Sequence, residues 1–230
     1  MALYVIGDLH LSLGTDKPME VFGSNWDRYT QRLQENFAQL NDEDVTVLCG
    51  DLSWGASLEE SLADFKMIDS FPGRKIILKG NHDYWWNTAS KMKRFFEAND
   101  IHSIDILHNN CYFYGDWAIC GTRGWFYEEN FGGSPDEKVL KREVGRLEAS
   151  LQAAGDKPIL CFLHYPPLYH GYTCPEVLEA LGKYDVRACY YGHLHGPVHK
   201  RAIEGVHNGI DYHLISADYL QFVPKKIADF

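Results

Sequence analysis

Side chains of the types that bind transition metals recur directly after short apolar segments of this sequence. They comprise two aspartates, one asparagine and four histidines. A mixture of imidazole and carboxylate favours Mn, Fe or Zn, and also Co or Ni, over calcium. The set exceeds what one tetrahedral zinc requires, so it predicts two divalent metal ions that share a bridging carboxylate. The candidate ligands are Asp8, His10, Asp51, Asn81, His164, His193 and His195.

The apolar segments before these residues have the character of buried β-strands. Each is short, nearly continuous in hydrophobic residues and rich in β-branched or aromatic side chains, as expected for strands covered on both faces. Ligands at the ends of adjacent strands converge at one edge of a sheet. Asp8 and His10, like His193 and His195, have the spacing that puts two side chains on one side of an extended backbone. The five segments are Ala2–Ile6, Val45–Cys49, Lys75–Leu78, Ile159–Leu163 and Ala188–Tyr191.

Three stretches between the strands carry apolar residues at helical spacing. Ser57 with Glu60 predicts a capping box for the second helix, and Ser134, Pro135 and Glu137 predict a similar start for the third. Asn87 is a candidate cap for another helix that runs to about Ala98. The apolar faces are Trp26, Tyr29, Leu33, Phe37 and Leu40, then Leu58, Leu62, Phe65 and Ile68, then Leu140, Val144, Leu147 and Leu151.

The second half of the chain has more direct connections between strands. Cys111–Gly121 predicts a hairpin with Gly115-Asp116 as its turn, and a second strand pair is expected around Val198–Glu204 and Tyr212–Ser216. This mixture predicts an α/β (α+β) fold, a β-sandwich of two sheets flanked by helices. Because no Pro/Gly/Ser-rich linker divides the chain, residues 1–230 are expected to form a single domain.

Charge and cysteine usage narrow the classes of function. The net charge of −10 disfavours general nucleic-acid binding, although bound divalent cations could reverse the sign of one cleft. Four of the six cysteines lie in apolar segments, and no Cys-x-x-Cys pair occurs. Reduced structural thiols are therefore expected, as in a cytoplasmic protein. The apolar segment near the N-terminus is too short for a signal peptide or a membrane span, so no membrane association is expected.

The motifs together resemble those of the calcineurin-like metallophosphoesterase superfamily, and in closer detail those of its small bacterial phosphohydrolases. The resemblance covers nearly the whole chain and all five motifs. It implies that one metal is held by Asp8, His10, Asp51 and His195, and the other by Asp51, Asn81, His164 and His193. The motifs DxH, GD, GNHD, H and GHxH occur as Asp8–His10, Gly50-Asp51, Gly80–Asp83, His164 and Gly192–His195.

These ligands predict a hydrolase of phosphate monoesters or diesters, in which a hydroxide bridging the two metals attacks phosphorus. His82 is the candidate general acid because it directly follows the ligand Asn81 and titrates in the useful range. Asp83 is a candidate for orienting His82 through its second ring nitrogen, with a surface aspartate as the alternative. Arg123, after the hairpin, is a candidate phosphate contact, with a structural arginine as the alternative.

Aromatic residues gather beside the motifs, where they would stack on a flat substrate group or pack beneath the loops. The remaining histidines, His102, His108, His170, His199, His207 and His213, lack motif support and are expected to be structural or solvated. The aromatic residues are Trp54, Tyr84, Trp85, Trp86, Trp125, Phe126 and Tyr127.

A small phosphorylated substrate is expected, because a small molecule responds mainly to the local charge of the metal centre. A nuclease is the first alternative, but no basic stripe supports it. A protein phosphatase is the second, and a non-catalytic interaction module on the same fold is an alternative of another class. The sequence leaves open the physiological substrate, monoester or diester preference, the native metal and the oligomeric state.

Overall fold

Two large β-sheets form the framework of the chain in a computed structural model, which describes residues 1–125 and 137–229. The first sheet has the strand order β13-β1-β2-β3-β4. Strands β1 to β4 are parallel, and β13 pairs antiparallel with β1. The strands are β1 (Ala2–Ile6), β2 (Val45–Cys49), β3 (Arg74–Leu78), β4 (Ile104–Ile106) and β13 (Lys225–Asp229).

The second sheet has the order β11-β12-β10-β7-β6-β5. Its four inner strands are parallel, and each edge strand is joined to its neighbour as an antiparallel hairpin. A short separate pair consists of β8 (Leu168–Tyr169) and β9 (Tyr172–Thr173). The strands of the second sheet are β5 (Tyr112–Tyr114), β6 (Trp117–Thr122), β7 (Ile159–Leu163), β10 (Val186–Tyr191), β11 (Gly205–His207) and β12 (Ile210–Leu214).

Helices cover the outer face of each sheet. Helices α1 to α3 share a buried cluster with the first sheet, and α4 and α5 share another with the second. Short 3-10 helices occur at Met19–Phe22, Ser24–Trp26 and Gly196–Arg201. The α-helices are α1 (Tyr29–Phe37), α2 (Leu62–Ser70), α3 (Ala89–Ala98), α4 (Glu137–Gln152) and α5 (Pro175–Gly182).

A third apolar cluster lies between the two sheets. Val47 and Cys49 of β2 belong to it, whereas Leu48 between them belongs to the cluster beneath the helices. This alternation is what a strand covered on both faces requires, because successive side chains point to opposite sides of a sheet. All five residues of β2 are buried, and so are all five of β7. The two-sheet sandwich flanked by helices is therefore confirmed, and so are the five buried strands.

Several local expectations were right and others were wrong. The hairpin with its turn at Gly115-Asp116 is confirmed by the pairing of β5 with β6. The cap of α3 is Thr88, whose hydroxyl accepts from Lys91 N at 3.3 Å, while the Asn87 amide donates to Trp85 O at 3.2 Å instead. The capping box forms only in part, since Ser57 Oγ accepts from Glu60 N at 3.2 Å but α2 begins later, at Leu62. Ser134 and Pro135 lie outside the described residues.

The strand expected at Val198–Glu204 is wrong. Gly196–Arg201 forms a 3-10 helix, and the strand that pairs with β12 is Gly205–His207. The turn between these strands is Asn208-Gly209, with φ of 50° and 83°. Asn-Gly with two positive φ angles is the preferred two-residue hairpin connection, and it fixes the pairing nearer to the turn than expected.

Replacing Phe162 by alanine should strongly destabilise the sandwich. Phe162 is fully buried between the sheets, and its ring stacks on Tyr190 at 5.2 Å. Loss of a buried phenylalanine costs about 3–5 kcal/mol of unfolding free energy. Phe113→Ala is the matched control, since Phe113 is 55% exposed on β5 and its loss should cost less than about 1 kcal/mol. Equal losses in urea unfolding would contradict this assignment of the core.

Candidate metal centre

The strand ends of the two sheets meet at one rim of the sandwich. Asp8 N donates to Gly50 O at 2.9 Å, which joins the ends of β1 and β2. Gly7 N donates to Ile215 O at 2.8 Å, so the end of β1 also touches the residue that follows β12 in the other sheet. Residues after the strands of both sheets are thereby brought to the same place. The convergence expected from the sequence is present.

Asp8, His10 and His195 form one group of potential metal ligands. One ligand atom from each lies within 4.8 Å of the others. His10 Nε2 and His195 Nε2 are 3.3 Å apart, and His195 Nε2 is 3.8 Å from Asp8 Oδ1. Asp8 and His10 are buried, so the group has the dry surroundings in which a cation is held most strongly by carboxylate.

Asp51, His164 and His193 form a second such group, also within 4.8 Å of one another. Asn81 joins it, because its Oδ1 lies 2.6 Å from His164 Nε2. Asp51 Oδ2 is 3.5 Å from His164 Nε2 and 3.8 Å from His10 Nε2, a residue of the first group. The Asp51 carboxylate therefore lies between the two groups, where a bridging ligand would be required.

The backbone at these residues is not extended. Asp8, His10, Asp51 and His193 have φ of 58°, 46°, 50° and 72°, so the expectation of an extended backbone at Asp8–His10 is wrong. A left-handed conformation costs a residue with a Cβ roughly 1–2 kcal/mol. Hydrogen bonds of Asp8 N and His10 N to the Gly50 and Asp51 carbonyls, both 2.9 Å, hold the first turn in place. Such stored strain is typical of functional sites.

In Asp8 and in Asp51, one carboxylate oxygen accepts a backbone hydrogen bond and the other faces histidine side chains. Asp8 Oδ2 accepts from His193 N at 2.9 Å, and Asp51 Oδ1 accepts from His82 N at 2.7 Å. The other oxygen of each faces imidazole nitrogens. Glycine is needed beside both, because a Cβ on Gly80 would lie 2.1 Å from Asp51 Oδ1 and one on Gly192 would lie 2.5 Å from Asp8 Oδ2.

The charges of the site fit bound cations. Burial, together with the charge of Asp51, raises the pKa of Asp8 to about 7, and burial raises that of Asp51 to about 6. Burial lowers the pKa of His164 to about 3 and that of His193 to about 2, so both rings are neutral near pH 7. Asp8 Oδ1 is buried and accepts no hydrogen bond from the described residues. Neutral imidazoles beside carboxylates that need a positive charge are the donor set that divalent metals bind.

Contacts behind the histidines fix which nitrogen faces the centre. His164 Nδ1 lies 3.1 Å from Cys49 O, so Nε2 faces Asn81 and Asp51. His195 Nδ1 lies 2.9 Å from Asp218 Oδ1. Burial alone would lower the pKa of His195. Hydrogen bonding to Asp218 and the charge of Asp8 nevertheless raise this pKa to about 9. A carboxylate behind a ligating histidine orients the ring and strengthens its binding.

Sequence reasoning missed Asp218 and the histidine beside it. Asp218 Oδ2 accepts from Gly196 N at 3.0 Å and lies 3.2 Å from His199 Nε2, so His199, expected to be structural, belongs to the surroundings of His195. The available signal was the position of Asp218 shortly after the end of β12. No sequence signal exists for Cys49 O, because it is a backbone group.

His82 lies at the edge of both groups. Its ring is 5.8 Å from that of His10 and 4.5 Å from that of Trp54, and its Nδ1 is 3.3 Å from Tyr84 Oη. Burial lowers the pKa of His82, which reduces the protonated fraction at neutral pH. The ring lines a cavity together with His10 and His195, and its role as general acid stays a prediction.

Asp83 has different contacts from those expected. It is fully buried, and its carboxylate accepts from Gly80 N at 2.7 Å, Asp51 N at 2.9 Å and Leu52 N at 2.8 Å. It also accepts from Trp85 Nε1 at 3.1 Å. The orientation of His82 by Asp83 is therefore contradicted. Asp83 instead ties the loop after β2 to the loop after β3, and so positions Asp51.

Arg123 is engaged by a carboxylate of α4. Its Nη2 lies 3.2 Å from Glu143 Oε1, and it lines a cavity with Lys79 and Trp86 that is separate from the two ligand groups. Its backbone is close to the site, since Tyr165 N donates to Arg123 O at 2.9 Å. A direct contact with the hydrolysed phosphate stays a prediction.

An apolar cavity of about 360 Å³ opens beside the first ligand group. Trp54 lines it and stacks on His10, with ring centroids 5.0 Å apart and an interplanar angle of 25°. Of the other aromatic candidates, Trp85 is fully buried in the core and Tyr84 is exposed, while Phe126 and Tyr127 lie outside the described residues. Other residues lining this cavity are Met19, Phe22, Trp26, His82 and His195.

Comparison with known proteins establishes the family. The family model described as calcineurin-like phosphoesterase matches residues 1–197, which include every candidate ligand. The chain therefore belongs to the calcineurin-like phosphoesterase family, whose members are metal-dependent hydrolases of phosphate esters. The resemblance seen in the motifs is confirmed.

The individual proteins that match this chain have low sequence identity to it. A probable glycerophosphodiester phosphodiesterase, GpdQ, of Arcobacter nitrofigilis is 26% identical over 165 residues, which cover 66% of this chain and 56% of the relative. The match thus spans little more than half of that protein's length.

Two solved structures share the fold over 98% of this chain and 95% of their own. The phosphopantetheinyl hydrolase of Mycobacterium tuberculosis has a TM-score of 0.59 at 13% identity. A protein of unknown function from Aquifex aeolicus has a TM-score of 0.54 at 15% identity.

The six cysteines all lie within the described ranges, and each is a free thiol. Within those ranges, no helix combines the length and the apolar character needed to cross a membrane. Cytoplasmic location and a single domain stay predictions.

Asp218→Asn should weaken metal binding to the group that contains His195. The substitution removes the negative charge behind the ring, and loss of such a contact typically lowers metal affinity about 10–100-fold. Titration against a competing chelator measures the change, and saturating metal should restore most of the activity. Asp211→Asn is the control, because Asp211 contacts His213 at 3.0 Å on the surface. Unchanged affinity in Asp218→Asn would contradict the positioning role.

Proposed function

We propose that this protein hydrolyses phosphate esters of small molecules at a centre of two divalent metal ions. The observation that carries the proposal is the Asp51 carboxylate between two groups of histidine and carboxylate ligands. One ion would be held by Asp8, His10, Asp51 and His195, and the other by Asp51, Asn81, His164 and His193. Family membership supports this reading. Mn, Fe and Zn fit the mixed donor set.

Bound metals of this type supply Lewis-acid charge and make water a nucleophile at neutral pH. The chain's own residues provide the rest. The strained loops and the Asp83 carboxylate fix the position of Asp51, while Asp218 and Cys49 O fix the orientation of His195 and His164. Such preorganisation avoids reorganisation during the reaction. His82 is the group proposed to donate a proton or a hydrogen bond to the departing oxygen.

The apolar cavity supports a small substrate with an apolar or flat group beside the phosphate. Trp54 and Trp26 line it next to His10 and His82, so an organic group held there would lie close to a phosphate at the metals. The similarity to a probable glycerophosphodiester phosphodiesterase supports a small phosphodiester among the candidates. The chain's net charge of −10 argues against long polyanions.

Asp51→Asn tests the shared ligand. We expect metal analysis to find two ions per chain in the wild type and the loss of both from the variant, since a neutral amide binds divalent ions more weakly than a carboxylate. Hydrolysis of bis-p-nitrophenyl phosphate should stop on chelation and return when metal is added. Asp116→Asn is the control, because that carboxylate is fully exposed in the hairpin turn. One tightly bound ion per saturated wild-type chain would overturn the proposal.

His82→Ala tests the proton donor. The variant should retain both metals and lose about 10²–10⁴-fold in kcat on esters with alkyl leaving groups. The loss should be much smaller for p-nitrophenyl esters, because p-nitrophenolate leaves without protonation. His102→Ala, a change at an exposed ring, should leave both activities unaltered. Equal losses on the two classes of ester would exclude the acid role and indicate that His82 positions the phosphate.

A further inference from the structure

A second cavity, of about 380 Å³, lies between helix α4 and the rim of the sandwich. Its lining differs from that of the apolar cavity, because it is dominated by cationic side chains. No role in the proposed hydrolysis accounts for them as a set. The charged and titratable residues that line it are Lys79, His108, Arg123, Arg142, Glu143 and Arg146.

The single carboxylate of this lining does not neutralise its cations. Glu143 is 1% exposed, and one of its oxygens, Oε1, lies 2.6 Å from Arg146 Nη1, 3.2 Å from Arg123 Nη2 and 3.8 Å from Arg142 Nε. Three guanidinium groups thus share one carboxylate oxygen, and Lys79 adds a further positive charge. The cavity carries a net positive charge in a chain whose overall charge is −10.

One guanidinium donor in this lining is unsatisfied. Arg123 Nε is buried and has no hydrogen-bond partner among residues 1–125 and 137–229. A buried donor without an acceptor is unfavourable, and planar guanidinium groups match the geometry of phosphate and carboxylate oxygens. An oxyanion in the cavity would supply acceptors for these donors.

Two residues that line this cavity are linked through the main chain to ligands of the second group. Lys79 precedes Asn81 by two residues, and Arg123 O accepts from the amide of Tyr165, the residue after His164. Residues that line the cavity are therefore held next to two of the proposed metal ligands. The apolar cavity, in contrast, is lined by His10 and His195 of the first group.

We propose that this cavity is a binding site for a phosphate-type oxyanion, distinct from the metal centre. The oxyanion is either a second anionic group of the substrate, an assignment that rests on the proposed function, or a free ion. The recognition chemistry is the same for both, since Arg142 and Arg146 provide forked donors and Lys79 provides a point charge.

Calorimetric titration of inorganic phosphate into the full, chelator-treated chain tests the site without competition from bound metal. Arg142→Gln removes one cation of the lining at a side chain that is 57% exposed, so the fold should be retained. Lys141→Gln is the matched control, because Lys141 is exposed on the same helix and outside this cavity. We expect phosphate affinity to fall about fivefold in Arg142→Gln and to change little in Lys141→Gln.

Steady-state kinetics of the metal-loaded enzyme distinguish the two sources of the oxyanion. Two substrates with the same scissile ester are compared, one with a second phosphate and one with a hydroxyl in its place. If the substrate supplies the oxyanion, Arg142→Gln raises KM only for the first, with kcat unchanged. If a free ion is bound, neither KM changes while phosphate affinity falls.

The binding and kinetic results also separate this proposal from the proposed function. Absence of phosphate binding to the wild-type chain, together with unchanged KM values in Arg142→Gln, would overturn the oxyanion site. Equal weakening by Lys141→Gln would also overturn it, because only the overall charge would then matter. Failure to hydrolyse any ester would refute the proposed function, yet calorimetry would still decide whether the cavity binds phosphate.

Discussion

The burial of two carboxylates side by side is the constraint on which the rest of the site depends. Asp8 and Asp51 are both essentially removed from solvent at the rim where the sheets meet, and their proximity opposes simultaneous ionisation. Buried charges of like sign are tolerated only when opposite charge or hydrogen bonds compensate them. The surrounding structure supplies amide donors to one oxygen of each, and the remaining oxygens face the histidines and define where cations belong.

The unusual backbone of the rim follows from that constraint. The amides that reach the two carboxylates, those of His193 and His82, lie in turns directly after strands, and Asp8, Asp51 and His193 adopt left-handed conformations in the same region. The turns also require close packing, so no Cβ fits at Gly80 or Gly192. The packing of the whole framework offsets the free-energy cost of these left-handed conformations, because both sheets are buried on each face. A rigid sandwich therefore maintains a locally strained site.

The strands and the candidate ligands were predictable because both leave a local signal in the sequence. A buried parallel strand is a short apolar run, and a ligand directly follows it. The role of Asp83 was misread and that of Asp218 was missed. Both roles depend on which loops lie beside these residues in space. Asp83 adjoins His82 in sequence, yet its acceptors face the amides of another loop. The Asn208-Gly209 turn was a local signal for the last hairpin, and a strand at Val198–Glu204 lies too far from that turn for a two-residue connection.

The two cavities differ in polarity and adjoin different ligand groups of the candidate metal centre. The apolar cavity meets the ligand group of His10 and His195, and the cationic cavity adjoins the residues next to Asn81 and His164. A phosphate ester has the same polarity, with an organic group on one side and charge on the other. Asp51 lies between the two ligand groups, so a phosphate bound there would have the apolar cavity on the side of His10 and His195, while the cationic cavity adjoins the residues next to Asn81 and His164. Electrostatic focusing of this kind lets an acidic protein attract a small anion without attracting long polyanions. If the cationic cavity binds an oxyanion as proposed, selectivity would reside in the placement of Arg142 and Arg146 on α4 against the rim, rather than in the overall charge of the surface.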